Sequence, residues 1–226
     1  MKNGKYCSSK KAMKPLAVLL AMILLVGCAV GGTLAWLTAQ TTEVKNTFTS
    51  AELFGDDGSF TLWEHQAEDA DEDGRYTLNT TKVAANTYDI LPGVNIPKDP
   101  TVDVVNLEEY AYLYIEVTGT LPEGLDYSID ANNWEQLAGY SGIWVYKGTE
   151  ATNNVIAGKD TAKKSFTANI LTQNQDGTAI TVDGTYSGTA DTGLTLNFKA
   201  YMVQATGNGA NAADAWANTY GATTNP

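Results

Sequence analysis

Cysteine is nearly absent from this sequence. Its 226 residues include two, Cys7 and Cys28, both close to the start. Everything after Cys28 must therefore hold together by core burial, without disulfides, thiol nucleophiles or thiolate metal ligands. Histidine is scarcer still, with His65 standing alone. A zinc hydrolase needs two or three ligands, typically HExxH on a helix, and a serine nucleophile needs a histidine held in reach. No GxSxG elbow accompanies any serine, so the sequence argues against an enzyme. Basic residues are also scarce, 14 Lys and Arg against 26 Asp and Glu. That balance makes nucleic acid and anionic membrane surfaces poor partners, and cations or a basic cell-surface component better ones.

The few lysines are unevenly placed. Lys2, Lys5, Lys10, Lys11 and Lys14 precede an apolar run from Leu16 to Val30, and no acidic residue occurs before Glu43. A basic segment, an apolar segment and then small residues make a secretory signal peptide. The apolar run is shorter than the ~20 residues of a spanning helix. Extended through Gly31 and Gly32 to Leu37 it would reach that length, so an uncleaved anchor competes with cleavage. Two cuts are open. LVGC, Leu25 to Cys28, fits a lipobox that would make Cys28 an acylated first residue. TLA before Trp36 puts Thr33 and Ala35 at the small positions and predicts a cut between Ala35 and Trp36. Residues 1–35 then read as a cleaved signal peptide. The remaining chain keeps nine basic residues against 26 acidic, a net charge of −17. Its GATTNP terminus has no apolar tail, which predicts release after the cut.

Past Trp36 the chain is rich in Thr, Val, Tyr and Gly, with apolar residues alternating at period two. YAYLYIEVT puts Ala111, Leu113, Ile115 and Val117 on one face and Tyr110, Tyr112, Tyr114, Glu116 and Thr118 on the other, the pattern of a half-buried strand. LTLNFKAYMVQ repeats it, with Leu196, Phe198, Ala200 and Met202 inward and Tyr201 and Val203 outward. Val102 and Val104 share a face just after Pro97 and Pro100. SGIWVYKG and KSFTANILTQ read as further strands, and NQDGTAITVDGTY as a hairpin about Asp176-Gly177. Many short strands with Gly, Asn and Asp punctuation predict an all-β, antiparallel, jelly-roll-like sandwich over 55–226. One short helix is expected in GANAADAWANT, presenting Ala212, Ala213 and Trp216 on one face, with Trp216 as a packing anchor.

Three constellations could carry chemistry. In DADEDG, Asp69, Asp71 and Asp73 sit at i, i+2 and i+4 before Gly74, the opening half of an EF-hand-type calcium loop. The twelfth position, a bidentate Glu in a complete loop, is Thr80 here, and the flanks are strand-like. A calcium site therefore competes with a solvated acidic turn between two strands. The row Tyr110, Tyr112, Tyr114 would suit a carbohydrate platform, a second buried face or a subunit interface. His65, in LWEHQAED, reads as an exposed residue among charges.

GGTLAWLTAQTTEVKNTFTSAEL, LPGVNIPKDPTVDVVN and LNFKAYMVQATG followed by AADAWAN carry a resemblance. A GGT-x-A segment before an aromatic residue, an NTFT strand, a PG-x-x-x-x-KDP segment and a closing strand with an Ala/Trp-rich helix resemble the TasA/camelysin family of secreted Gram-positive proteins. The resemblance implies processing after Ala35 by a dedicated SipW-like signal peptidase and a role in cell-surface or biofilm-matrix fibres. Some camelysin-like relatives are described as metalloproteases, but this sequence supplies no such site. Leu62 to Thr81 and 153–192 carry no match of this kind.

The expectation is a secreted structural subunit that assembles with copies of itself and meets the membrane only through its signal peptide. Residues 36–54, extended and Thr-rich, would be a donor strand freed by cleavage. Trp36, Val44 and Phe48 are its assembly residues, with Phe48 the apolar anchor. The same segment could instead form the first strand of its own subunit. A calcium- or carbohydrate-binding surface module is the competing class.

Overall fold

A computed structural model describes residues 38–40, 53–119, 121–175, 177–186 and 195–221. They belong to the compact unit Thr38–Pro226. In chain order the strands are β1 (Thr38–Gln40), β2 (Phe54–Glu68), β3 (Thr77–Val83), β4 (Thr101–Leu107), β5 (Tyr110–Gly119), β6 (Leu125–Tyr127), β7 (Trp134–Gln136), β8 (Ile143–Tyr146), β9 (Ala151–Thr152), β10 (Val155–Ala157), β11 (Phe166–Asn169), β12 (Ile180–Val182) and β13 (Leu196–Gln204), followed by the helix α1 (Ala212–Tyr220).

All pairings are antiparallel. The larger sheet runs β1-β13-β5-β10-β9, with β8 on β5 beside β10 and β7 on β8. The second runs β11-β4-β2-β3, and β12 with β6 makes a small third sheet. The longest register joins β5 to β13, from Ala111↔Gln204 to Gly119↔Leu196. The two large sheets close on one core. Phe60, Leu62, Val102 and Val104 from one meet Leu113, Ile115, Phe198, Ala200 and Met202 from the other. Each of these side chains other than that of Ala200 contributes roughly 1.5–3 kcal/mol by leaving water. The Trp134 indole N–H donates to Asn169 O at 2.7 Å and ties β7 to the end of β11. The protein is thus an all-β sandwich with one short C-terminal helix.

The outward face of the larger sheet is not left to solvent. Tyr112, Tyr114, Val145, Tyr201 and Val203 form a second core with Ala212, Ala215 and Trp216 of α1. Tyr201 and Val203, expected outward, are buried because the helix covers them. Its buried face is Ala212, Ala215 and Trp216, with Ala213 half-buried at its margin. Asn211 caps the helix by accepting from Asp214 N at 3.0 Å, and the Asp214 carboxylate lies in the first turn, where the helix dipole favours it. Tyr114 donates from its hydroxyl to Ala212 O at 2.8 Å, so sheet and helix are also joined by a hydrogen bond.

One expected pairing changes. The region about Asp176-Gly177 is a turn, with Asn174 N donating to Thr178 O at 2.7 Å, but its arms do not form a hairpin. β12 pairs with β6, and Ile180 also bridges to Ile96, because the apolar residues Ile96, Ile180 and Val182 bury together as a third small core. Asp176 itself lies outside the described residues. Leu53 and Phe54 are buried in the main core, and Thr38–Gln40 pairs within the larger sheet.

Candidate functional site

The segment before β4 reads Ile96-Pro97-Lys98-Asp99-Pro100, and two successive residues of it grip two successive residues of β2. Lys98 Nζ lies 2.7 Å from Glu64 Oε2, and both side chains are buried. Asp99 Oδ1 accepts from the His65 backbone N–H at 2.9 Å, and Oδ2 lies 2.6 Å from His65 Nδ1. Alternate residues of a strand face opposite sides. One pair therefore closes on the core side of the sheet and the other outside it. Asn86 completes the clasp, accepting from Ala67 N and donating to His65 O, both at 2.8 Å. It satisfies β2 where the register with β3 shifts between His65 and Ala67. Gln173 Nε2 donates to Lys98 O at 2.9 Å and holds the segment from its other side.

His65 is accordingly not a free surface residue. It is bonded to Asp99 through both backbone and ring, and its ring meets that of Trp63 edge-on at 4.8 Å. Among the described residues no Ser or Thr hydroxyl hydrogen-bonds to it, so none of them completes a triad with this His–Asp pair.

Beside the clasp lies a cavity of about 720 Å³. Leu62, Ile96 and Phe198 line it with Tyr88, and Glu64 and Lys98 form part of its wall. Lys98 Nζ is 5.9 Å from the ring centres of both Tyr88 and Phe198, close enough for a weak cation–π attraction. Burial pushes the Tyr88 phenol well above its ordinary range, and the nearby Glu64 and Asp99 charges push it the same way. It is a neutral donor, bonded to Pro97 O at 2.8 Å. No family model, curated protein or solved structure matches this chain.

The predicted calcium loop is the β2–β3 connection, and it does not gather its carboxylates about one point. Both Asp69 oxygens are used by the loop itself, Oδ1 accepting from Asp73 N at 3.1 Å and Oδ2 from Gly74 N at 2.8 Å. Asp73 turns to Arg75, accepting from its backbone N–H at 2.9 Å, with Arg75 Nε 3.7 Å from Oδ2. Among the described residues no group of three or more His, Cys, Asp or Glu side chains could hold a metal ion. Asp69, Asp71 and Asp73 therefore form no ligand set. Gly74 is required here for a different reason. Its φ is +77°, and a Cβ would fall 2.1 Å from Leu91 Cδ1.

The tyrosine row is not an open platform either. Tyr112 and Tyr114 lie under α1, and only Tyr110 is exposed. Burial raises the phenols of both buried tyrosines, with the Asp214 charge adding to the effect at Tyr112 and neighbouring tyrosines at Tyr114.

Of the assembly segment, Thr38–Gln40 is an edge strand of the larger sheet, registered on β13 as Thr38↔Val203, Ala39↔Met202 and Gln40↔Tyr201. Ala35, Trp36, Val44 and Phe48 lie outside the described residues.

Proposed function

We propose that this chain is a secreted structural subunit of cell-surface or biofilm-matrix fibres, joined head-to-tail through the segment that begins at Trp36. The observation that carries this reading is the lightness of the β1 attachment. Among the described residues three registered pairs hold β1 at the sheet edge, whereas the neighbouring β5–β13 ladder has nine. A short edge strand can leave its own β13 and add to that of a second copy at little net cost, because the same backbone hydrogen bonds re-form.

The described surface supports edge pairing over face-to-face docking. Among the described large hydrophobic residues only Leu91 and Tyr110 are exposed, too few for an apolar interface there. Strand addition from one copy to the next is heterologous and does not close on itself, so its product is an open filament. The likeness of GGTLAW, NTFT and KDP to the TasA/camelysin pattern supports the same reading, and with it export and cleavage after Ala35.

Purifying the secreted form, sequencing its N-terminus and imaging it by electron microscopy tests the proposal. Trp36 as first residue together with filaments is the expected result. Acylated Cys28 at the N-terminus, retention of the apolar segment in the membrane fraction, or particles that stay monomeric at every concentration would count against it.

A further inference from the structure

Glu64 and Lys98 hold β2 in place, but their hydrogen-bonding capacity is far from used. The two residues are 4% and 8% exposed. Among the described residues the hydrogen bond between them is Lys98 Nζ to Glu64 Oε2 at 2.7 Å. Neither Lys98 Nζ nor Glu64 Oε1 is a fully enclosed polar atom without a partner, so their remaining capacity opens on the cavity. An ammonium carries three donors, and a carboxylate offers acceptor sites on both oxygens. A charge pair with so little exposed surface gains when further hydrogen bonds of fixed geometry reach it. Both residues line the cavity, so a bound molecule can supply those bonds.

We propose that the cavity binds a small zwitterion, an α-amino acid with an apolar or aromatic side chain. Its carboxylate meets Lys98 Nζ, and its ammonium meets Glu64 Oε1. The four charges then form a closed ring in which each has two neighbours of opposite sign. A singly charged ligand would compete with one member of the pair and strand the other. A purely apolar ligand would leave both unused capacities as they are. The zwitterion satisfies both, while Leu62, Ile96 and Phe198 receive its side chain and Tyr88 presents an aromatic surface. The cavity, at about 720 Å³, falls within the range of small-molecule sites. This binding does not depend on whether the chain forms fibres.

Thermal melting of the purified protein with millimolar L-leucine or L-phenylalanine tests the inference, because a ligand bound to the native state raises the melting temperature. N-acetyl and carboxamide forms of the same amino acids are the controls, each lacking one of the two charges. The expected result is a saturable rise with the free amino acid, weakened about tenfold or more by either cap. The double variant Glu64→Gln/Lys98→Met should lose the response while keeping its far-UV circular dichroism. If that variant does not fold, Thr195→Trp at the exposed rim should weaken binding without touching the ion pair. No rise with either amino acid, an equal rise with both capped forms, or an unchanged response in Thr195→Trp would overturn the proposal.

Discussion

β1 and the distal half of β2 are attached to the same sandwich in opposite ways. β1 is held by three backbone pairs on β13, at the edge of its sheet. The distal half of β2 pairs with β3 alone, and is held besides by a buried ion pair, a two-point carboxylate grip on His65 and an Asn86 bridge. Backbone pairs are interchangeable between copies of a chain, since any extended segment can supply them. Side-chain grips are not, because each needs its own partner at its own depth. The fold thus puts sequence-specific contacts on the distal half of β2, and we propose that the strand that exchanges is β1, whose described attachment is backbone pairing.

The largest expected effect breaks the strong end of this contrast. Lys98→Met leaves the buried Glu64 carboxylate without its partner and should cost about 3–5 kcal/mol, read by chemical denaturation. Adding Glu64→Leu to the same chain should restore most of that loss, because a buried ion pair replaced by well-packed apolar groups is often neutral or stabilising. A double variant as unstable as the single one would mean that the segment packs badly for a reason other than the charge.

Trp216→Ala tests whether the second core is as integral as the first. The side chain is 3% exposed and packs on Tyr114, Tyr201 and Tyr220, so truncation should cost about 3–5 kcal/mol and weaken the near-ultraviolet circular dichroism. A loss below about 1 kcal/mol, the scale of an ordinary surface change, would show α1 to be a loosely held cover.

Alkaline pH should act on the clasp side and the helix side together. Burial raises the phenols of Tyr88, Tyr114 and Tyr146 far above the ordinary value of 10.0. In the unfolded chain these phenols ionise near that value, while in the folded protein they stay protonated. Their contribution is therefore fully present below about pH 10 and falls progressively above it. Denaturation midpoints measured from neutral to alkaline pH should drop from about pH 10 upward, and spectrophotometric titration should show three tyrosines that ionise only on unfolding.

The smallest expected effect is at the acidic turn. Asp69→Ala removes two acceptors for exposed or half-buried N–H groups and should cost about 1 kcal/mol. Millimolar calcium should change the melting temperature of the wild type and of an Asp69→Asn/Asp71→Asn/Asp73→Asn variant by the same amount, through screening of the acidic chain. A rise confined to the wild type would restore the calcium reading of DADEDG.

Period-two alternation was enough to find β4, β5 and β13 and to choose their core faces, because Val, Ile and Leu at alternate positions admit one orientation. It could not place Tyr112, Tyr114, Tyr201 and Val203, since tyrosine suits a wet face and a covered one equally and the cover is a helix a hundred residues away from the first two. The pairing of β12 with β6 was hidden for a related reason. The turn at Asn174–Thr178 is local, but the strand that follows it chooses its partner by burying Ile180 against Ile96. The clasp was the least visible feature. Glu64 with Lys98 and His65 with Asp99 are each 34 residues apart, and nothing in LWEHQAED distinguishes an exposed histidine from one held by a distant aspartate. The KDP segment stood out only as part of a resemblance. In the fold its lysine and aspartate supply the clasp, and its proline leads into β4.

The central claim is that β1 is exchangeable and the rest of the sandwich is not. Deleting residues 36–42 from the secreted form and imaging the product by electron microscopy, with its fold checked by circular dichroism, tests this most directly. The account predicts a folded monomer that forms no filaments, since the described part of the deleted segment is the edge strand Thr38–Gln40. Filaments of normal length from the truncated chain would contradict it and assign assembly to the remaining sheet edges.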